Sequence, residues 1–301
     1  STLMRSSAAS DVYKRQTKNC MKESLQKRIE KARTLLAASD CILIGGGSGL
    51  SSAAGLTYSG ERFAQNFAEF IERYCMTDMY TAGFYPFKTQ EEKWAYWSRH
   101  ILLNRWQSQA LALYRNLLAL VKEKDYFVIT TNVDAQFYKA GFAPERIFAV
   151  QGDYGKLQCA KGCHDTLYDN EALIRQMTAK QKNCRVPSYL IPKCPVCGGE
   201  IEVNIRKDMY FVQDDAWYAS DTRYSEFCNK SENKNTVLLE LGVGFNTPTI
   251  IRFPFERMTY RNKNVRLIRL NAEYEDAIPE NETKTVSFNE NMAEIINALM
   301  K

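Results

Sequence analysis

The sequence predicts an α/β protein in which a Rossmann-like parallel sheet carries a smaller zinc-ribbon and helical module. Three observations predict this fold: short apolar strands separated by helical patterns, a glycine loop directly after the first strand, and two closely spaced cysteine pairs. Strands that alternate with helices are typical of parallel sheets, and paired cysteines are typical of tetrahedral zinc sites. A chain of 301 residues can form one large and one small domain.

The composition argues against two classes of partner. Charged residues make up 25% of the chain and apolar residues 45%, and no run of about 18 apolar residues could span a membrane. The net charge of +5 is too small to argue for nucleic-acid binding. Nine cysteines without a secretion signal predict a reducing, cytoplasmic location, where thiols stay free or bind metal.

The chain divides into a large domain, two inserted segments and a tail. Residues 1–16 end in Asp-Val-Tyr-Lys-Arg-Gln, which resembles a translated adapter from a sequencing library; a native tail without regular structure is the alternative. The Rossmann-like domain is predicted to take residues 17–57, 121–152 and 208–301. The small module takes the mostly helical segment 58–120 and the zinc-binding segment 153–207, which shows little regular pattern.

The apolar pattern predicts the elements of the large domain. An amphipathic helix over 21–38 precedes a buried strand at 41–44, and a final helix places Met292, Ile295, Ile296 and Leu299 on one face. Further strands are predicted at 126–130, 147–150, 237–241 and 266–270. Most of these strands end in polar or glycine-bearing turns, which is where open parallel sheets bind ligands.

The glycine loop runs from Gly45 to Leu56 and reads GGGSGLSSAAGL. Glycines after a strand let backbone N–H groups approach a phosphate closely. The loop is not the standard dinucleotide fingerprint, because the third glycine is missing and no acidic residue ends a strand about 20 positions later. The loop alone leaves a phosphate-binding loop and a simple tight turn both open.

Two further clusters carry polar or thiol side chains. Asn132 and Asp134 follow the second strand, where an amide and a carboxylate could hold a ribose or steady a cationic sugar; turn capping is the alternative. The cysteine pairs suit a structural zinc ion, because four protein ligands leave no position for substrate. The predicted ligands are Cys159, Cys163, Cys194 and Cys197, with His164 and Cys184 as substitutes.

These motifs, in their order along the chain, resemble the sirtuin family. The segment from Gly47 to Leu56 is similar to the sirtuin Gly-Ala-Gly-Ile-Ser and Gly-Ile run, and "TTNVD" is similar to Thr-Gln-Asn-Ile-Asp. Sirtuins carry a zinc module at the same place in the chain. The segments 240–248 and 267–274 resemble the Gly-Thr-Ser-Leu turn and the strand that ends in asparagine. The resemblance spans about residues 25 to 300.

The resemblance implies NAD as co-substrate and assigns residues to it. Loop 47–51 would hold the diphosphate, and Asn132, Asp134 and Gln151 would line the reacting ribose as catalytic residues. Tyr58, which replaces an acidic family residue, would border nicotinamide with Arg62 and Phe63. The full set implied for NAD binding is Gly47, Ser48, Gly49, Leu50, Ser51, Gly55, Leu56, Tyr58, Arg62, Phe63, Gly242, Gly244, Asn246, Thr247 and Asn271.

Gln151 departs from the sirtuin deacylases, which carry a histidine followed by glycine at this position. That histidine acts as a general base on the NAD ribose, whereas a neutral amide has no useful basicity near pH 7. The chain has two histidines, His100 in an amphipathic helix and His164 in the zinc segment, and both are predicted to be structural. The substitution therefore argues against ordinary lysine deacylation.

The whole pattern is similar to the macrodomain-linked class of microbial sirtuins. Members of that class are protein ADP-ribosyltransferases that modify lipoylated glycine-cleavage-H-like carrier proteins, and a partner macrodomain hydrolase removes the mark. The predicted function is therefore NAD-dependent ADP-ribosyl transfer to such a carrier, with release of nicotinamide and no nucleic-acid or membrane partner. A lysine deacylase with another base, an NAD-cleaving hydrolase and a non-catalytic NAD or ADP-ribose binding module are the alternatives.

Overall fold

The computed structural model describes residues 23–301, so the predicted non-native tail, residues 1–16, lies outside the described residues. In this range the strands are β1 (Cys41–Gly46), β2 (Asp125–Thr130), β3 (Ile147–Ala149), β4 (Gly152–Cys159), β5 (Tyr168–Asp169), β6 (Ile201–Ile205), β7 (Thr236–Leu241), β8 (Val265–Leu270) and β9 (Thr285–Phe288).

The helices that connect and cover these strands follow the same chain order. They are α1 (Leu25–Ala38), α2 (Ser48–Ala53), α3 (Glu61–Tyr74), α4 (Met79–Ala82), α5 (Gln90–Ile101), α6 (Ala112–Val121), α7 (Gln136–Lys139), α8 (Glu171–Lys180), α9 (Asp215–Ser231), α10 (Arg252–Arg261) and α11 (Met292–Leu299). A π-helical turn, Leu102–Trp106, extends α5, and 3₁₀ turns span Pro144–Arg146, Ser188–Leu190 and Pro279–Lys284.

Six parallel strands form the main sheet in the order β3-β2-β1-β7-β8-β9. The chain leaves β1 toward one edge of the sheet and later returns to β7 on the other side of β1. Such a reversal opens a crevice beyond the carboxyl ends of the two strands, and doubly wound sheets bind ligands there. The predicted Rossmann-like sheet is confirmed, and the glycine loop lies at this crevice.

Both faces of the main sheet are covered, which explains its continuous apolar strands. Alternate β1 residues such as Ile42 and Ile44 pack with helices α1, α6 and α11 on one face. Leu43 and its neighbours pack with α9 and α10 on the other face. Helix α6 is the last element of segment 58–120, which the sequence analysis assigns to the small module. It packs instead on the core of the large domain, because its apolar face is turned toward the main sheet.

The small module has a core of its own, built from helices α3, α5 and α8 and a second sheet. This sheet is antiparallel, in the order β5-β4-β6. The sequence of segment 153–207 shows little pattern because the pairing of β4 with β6 shifts register between Gly152 and Leu157, which breaks the alternation of side chains. No helix within residues 23–301 is long and apolar enough to cross a membrane.

Two residues, Val150 and Gln151, connect β3 of the large domain to β4 of the small module. The Val150 N–H donates to the Thr130 carbonyl at the end of β2, and the Arg206 N–H donates to the Gln151 carbonyl. Gly152 has a φ of 97°, and a Cβ placed on it would lie 2.0 Å from the Asn204 carbonyl oxygen. Only glycine fits this position, because both the backbone conformation and the close approach exclude a side chain.

Gly152→Ala should destabilise the protein more than Gly55→Ala. Both glycines have positive φ, but the Cβ of Gly55 would meet no described atom within 4 Å. Gly55→Ala should therefore lower the free energy of unfolding only by the backbone strain of about 1–2 kcal/mol. Gly152→Ala should lower it by at least about 2 kcal/mol more, because the strands of the small sheet must move to make room for the Cβ. Urea unfolding measures both free energies; equal losses would contradict the tight contact at Gly152.

Candidate active site

The glycine loop is held against the loop that follows β7 by direct backbone contact. A Cβ on Gly47 or Gly49 would lie 2.6–2.7 Å from Gly242 atoms, and a Cβ on Gly242 would lie 2.3 Å from the Leu50 nitrogen. Gly242 also has a φ of 61°. The N–H groups of Gly47 and Gly49 donate to the Leu241 and Gly242 carbonyls. These three glycines are therefore required for loop packing, in addition to any contact with a ligand.

Asn132 is anchored to the glycine loop by its side-chain amide. Its Nδ2 donates to the Gly47 carbonyl at 2.8 Å and lies 3.1 Å from the Ser51 Oγ and 3.2 Å from the Tyr114 hydroxyl. The end of β2 is thereby joined to the start of α2 across the mouth of the crevice. The structure thus brings together Gly47, Ser51 and Asn132, three residues that the sequence analysis assigns to the site.

Asp134 lies behind Asn132 and is almost fully buried. The Ser51 hydroxyl donates to its Oδ2 at 2.5 Å, and the Gln136 N–H donates to its Oδ1 at 3.0 Å at the start of α7. Burial raises the pKa of Asp134 above its ordinary value, and the Ser51 hydrogen bond opposes this shift. Asp134 therefore both holds the backbone turn before α7 and belongs to the polar network at the crevice.

Tyr114 completes this network and was not predicted as a site residue. Its ring is fully buried in the large core, and its hydroxyl lies 2.8 Å from the Ser51 Oγ. In the sequence, Tyr114 is one apolar-face residue of an amphipathic helix. Nothing in that pattern distinguishes a tyrosine whose hydroxyl meets a partner from one that only fills space.

Gln151 reaches across the crevice to the loop after β7. Its Nε2 donates to the Thr247 Oγ1 at 3.2 Å, so two residues predicted from separate motifs are in contact. Gln151 is half-buried, and Thr247 is exposed. The amide can donate and accept hydrogen bonds at this position, but it cannot remove a proton.

Neither histidine can supply the missing base. His100 is buried among aromatic rings of the small module, including Tyr58, Trp97 and Tyr154. This burial, together with the nearby Arg62 charge, lowers the pKa of His100 to about 3, so the ring stays neutral at physiological pH. His164 lies beside the cysteine cluster, with its Nδ1 3.0 Å from the Cys163 sulfur. His100 thus lies within the core of the small module, and His164 lies at the cysteine cluster.

The residues predicted to border nicotinamide have different environments. The Tyr58 hydroxyl pairs with the Tyr154 hydroxyl at 2.9 Å, and burial raises the pKa of Tyr58. The Arg62 guanidinium donates to the Thr57 carbonyl at 2.8 Å and to the Asn104 side chain at 2.9 Å. Phe63, in contrast, is buried in the core of the small module.

The remaining predicted residues of the glycine loop divide between core and surface. Leu50 and Leu56 are buried, and Ser48 is exposed at the first position of α2. Gly55 forms an exposed turn with a φ of 102°. These residues shape the loop, and of them Ser48 offers a polar side chain to solvent.

Asn271 fastens the loop after β8 to the loop after β7. Its Nδ2 donates to the Val243 carbonyl at 2.9 Å, and its Oδ1 accepts from the N–H groups of Glu273 and Tyr274, each at 3.1 Å. Its amide is thus engaged with neighbouring loops. Asn246 is exposed on the loop after β7, and a Cβ on Gly244 would meet no described atom within 4 Å.

A buried ion network supports these two loops and was not predicted. Arg269 on β8 donates to both oxygens of Glu240 on β7, at 2.7 and 3.0 Å, and pairs with Glu256 at 2.7 Å. Arg252 pairs with Glu240 at 3.3 Å and donates to the Tyr274 carbonyl at 2.9 Å. The sequence signals this network only through charged residues within otherwise apolar strands, such as Glu240 in β7 and Arg269 in β8.

The crevice residues suit a dinucleotide. Asn132, Gln151 and Thr247 carry polar side chains beyond the carboxyl ends of parallel strands, where this sheet topology places such ligands. The open space beside Gly244 leaves room for a ligand next to the loop after β7. The residues present therefore fit NAD.

The four predicted cysteines form one compact cluster between β4 and the Cys194–Cys197 turn. Their sulfur atoms all lie within 4.8 Å of one another, with separations of 3.7 Å for Cys159 to Cys197 and 3.6 Å for Cys163 to Cys194. A tetrahedral zinc ion with Zn–S bonds of about 2.3 Å needs sulfurs about 3.8 Å apart. The geometry therefore fits a structural zinc ion. Cys184 lies elsewhere, with its sulfur near Glu69.

Comparison with known proteins connects this site to a family. No family model matches the chain. A protein ADP-ribosyltransferase of Staphylococcus aureus is 36% identical over 276 residues, which cover 91% of this chain and 88% of that protein. The chain belongs to the protein ADP-ribosyltransferase family. A family relative of Fusarium oxysporum f. sp. cubense, named as a probable bifunctional ADP-ribose hydrolase/ADP-ribosyltransferase, is 31% identical; the match covers 84% of this chain and 44% of that protein.

The fold of this ADP-ribosyltransferase family member is that of the sirtuins. A Sir2 structure with a bound propionylated peptide aligns with a TM-score of 0.56 at 17% identity, covering 90% of this chain and 97% of that chain. A Sir2 structure with a p53 peptide and NAD aligns with a TM-score of 0.54 at 18% identity, covering 90% of this chain and 97% of that one. The sirtuin resemblance is confirmed at the level of the fold.

Cys194→Ala should remove bound zinc and unfold the small module, whereas Cys184→Ala should retain zinc. Three thiolates and a water hold zinc less tightly than four thiolates, and this metal closes the turn next to β6. Cys184 is a buried cysteine outside the cluster, so it controls for the loss of a thiol. Elemental analysis measures the metal, and retention of one zinc per chain by Cys194→Ala would contradict the assignment.

Ser51→Ala should destabilise the protein more at pH 7.5 than at pH 4.5, whereas the exposed neighbour Ser52→Ala should have little effect. The variant removes the hydroxyl that donates to the buried Asp134, which raises the pKa of that carboxyl group further. A carboxyl group whose folded pKa exceeds its unfolded pKa loses stability as the pH rises between them. We expect a loss of about 1–3 kcal/mol at neutral pH and a smaller one in acid; urea unfolding at both pH values measures it.

Proposed function

We propose that the protein transfers the ADP-ribosyl group of NAD to an acceptor on another protein and releases nicotinamide. The observation that carries the proposal is Gln151: an amide held by Thr247 stands at the crevice, next to an intact network of Asn132, Ser51 and Asp134. NAD supplies the transferable group when its bond to nicotinamide breaks. The names of the curated relatives support the same reaction class.

The side chains of the crevice act by positioning and by charge. Asn132 is fixed by the Gly47 carbonyl and by Ser51, so it presents an oriented amide to the ribose with little loss of side-chain freedom. Asp134 places a carboxylate behind it, which stabilises positive charge that develops at the anomeric carbon. Gln151 keeps its Oε1 as an acceptor for a ribose hydroxyl, since its Nε2 donates to Thr247.

The lack of a base favours this reaction over deacylation. Transfer needs the nicotinamide bond to break and an acceptor nucleophile to bond to the anomeric carbon. Deacylation needs, in addition, a base that activates a ribose hydroxyl. Gln151 cannot serve as this base, and the pKa of His100 is about 3 within a closed aromatic cage. The proposal therefore requires only groups that the crevice provides.

The proposed acceptor is a lipoylated glycine-cleavage-H-like carrier protein, and the proposed functional partner is a macrodomain hydrolase that removes the mark. This assignment comes from the resemblance to the macrodomain-linked sirtuins. It is supported by the Fusarium relative, whose name joins an ADP-ribose hydrolase to an ADP-ribosyltransferase in one longer chain. A cluster of four reduced thiols fits action in the cytoplasm.

Incubation with labelled NAD and purified carrier tests the proposal. Label should appear on the lipoylated carrier, and Asn132→Ala should abolish it while zinc content stays close to wild type and a cooperative thermal transition shows that the variant, although less stable, is folded at the assay temperature. The unlipoylated carrier separates recognition of the lipoyl group from recognition of the protein. Free ADP-ribose without label on the carrier would indicate an NAD hydrolase, and binding of NAD without turnover would indicate a binding module; either result would overturn the proposal.

Gln151→His should not convert the protein into an efficient deacylase. A histidine would add a base, but the 58–63 segment would remain unlike that of the deacylases, with Tyr58 paired to Tyr154 and Arg62 tied to Thr57. We expect removal of the acetyl group from an acetyl-lysine peptide, with formation of O-acetyl-ADP-ribose, to stay near background, as for the Gln151→Asn control. Robust deacetylation by Gln151→His would contradict this account of the site.

A further inference from the structure

Tyr154 is a buried tyrosine of strand β4 whose hydroxyl meets the hydroxyl of Tyr58. The two oxygen atoms lie 2.9 Å apart. Tyr154 is 6% exposed and lies three residues after Gln151. Tyr58 is half-buried and lies in the connection between α2 and α3. The bond therefore joins the small sheet to the segment that the sequence analysis assigns to nicotinamide.

The backbone and the ring of Tyr154 are held by contacts that do not involve its hydroxyl. Its N–H donates to the carbonyl of Val133, in the loop after β2, at 2.9 Å. Its carbonyl accepts from the side-chain amide of Asn170 at 2.8 Å. Its ring packs edge-on against His100, with the ring centres 4.9 Å apart. Loss of the hydroxyl alone would therefore leave these contacts in place and break only the bond to Tyr58.

Tyr58, in contrast, lies in an open part of the chain. Gly55 and Gly60, on either side of it, have φ values of 102° and 69°, and a Cβ on either would meet no described atom within 4 Å. The carbonyl of Tyr58 accepts from the Met79 N–H at 2.8 Å, which fixes its backbone. The direction of its side chain depends on the bond to the Tyr154 hydroxyl.

We propose that Tyr154 is a positioning residue whose hydroxyl holds the Tyr58 ring in the orientation that contacts the nicotinamide of NAD. This inference rests on the proposed use of NAD and on the assignment of Tyr58 to the nicotinamide side of the crevice. A ring that is held in place before the ligand arrives loses little side-chain freedom on binding, which improves affinity.

The pair of hydroxyls stays neutral at physiological pH. Burial raises the pKa of both Tyr58 and Tyr154 above the ordinary value for tyrosine. Each hydroxyl therefore keeps its proton, and the bond between them persists across the pH range of an enzyme assay.

ADP-ribose lacks nicotinamide, so it separates the positioning of Tyr58 from a general structural role. Tyr154→Phe keeps the ring and both backbone hydrogen bonds and loses only the hydroxyl. The second probe is carba-NAD, which keeps nicotinamide but resists cleavage because a methylene replaces the oxygen of the ribose ring. Calorimetric titration of the full chain should show carba-NAD binding about 2- to 13-fold more weakly to Tyr154→Phe. Binding of ADP-ribose should be unchanged.

Tyr58→Phe and the double variant complete a thermodynamic cycle. If the two hydroxyls act as a pair, Tyr58→Phe should weaken carba-NAD binding as much as Tyr154→Phe, and the double variant should weaken it no further. Tyr168→Phe is the control, because the Tyr168 hydroxyl also has a partner in the small module, His164 Nε2 at 2.7 Å. This control should leave the affinity for both ligands unchanged.

The same titrations define the results that would overturn the positioning role alone. Wild-type affinity for carba-NAD in Tyr58→Phe or Tyr154→Phe would do so, as would equal weakening of carba-NAD and ADP-ribose or additive losses in the double variant. Tyr58→Phe removes the same bond from its half-buried side, so it tests the proposal even if Tyr154→Phe does not fold. If the wild-type protein binds neither carba-NAD nor ADP-ribose, the proposed function fails as well.

Discussion

The active site depends on one steric constraint: two loops touch through their backbones. The glycine loop after β1 and the loop after β7 approach so closely that a Cβ on Gly47, Gly49 or Gly242 would overlap main-chain atoms. This contact closes the reversal point of the sheet and fixes where Asn132 and Thr247 can stand. Glycines that resemble a phosphate-binding motif are therefore needed first for packing, and any ligand contact is built on that packing.

The two halves of the crevice are stabilised by different kinds of interaction, hydrogen bonds in one and buried ion pairs in the other. On the Asn132 side, neutral hydroxyls and amides share hydrogen bonds with one buried carboxyl group. On the β7–β8 side, Arg269, Glu240 and Arg252 form a buried ion network with almost no exposure. Buried charges are costly unless each is paired, so this network specifies one arrangement of the loops. The surface of the second half is consequently rigid.

The sequence predicted the elements with strong local patterns. Strands buried on both faces, the glycine loop and the cysteine pairs each carry a signal within a few residues, and all three were found. The β4–β6 sheet was missed because its bulge breaks the alternation. Strand β9 was missed because its four residues, Thr285–Phe288, alternate polar and apolar side chains and form no continuous apolar run. Tyr114, Glu240 and Arg269 were missed as well, because their importance comes from partners distant in sequence.

Strand β4 connects the cysteine cluster mechanically to the crevice. It starts at Gly152, directly after Gln151, and ends at Cys159 of the four-cysteine cluster. The Tyr154 N–H on this strand donates to the carbonyl of Val133, which lies between Asn132 and Asp134. A single eight-residue strand thus joins the cysteine cluster to the loop that carries Asn132 and Asp134. A metal ion held by the four cysteines would therefore support the crevice from a distance, and its removal by a chelator would lower activity even though such an ion would touch no reacting atom.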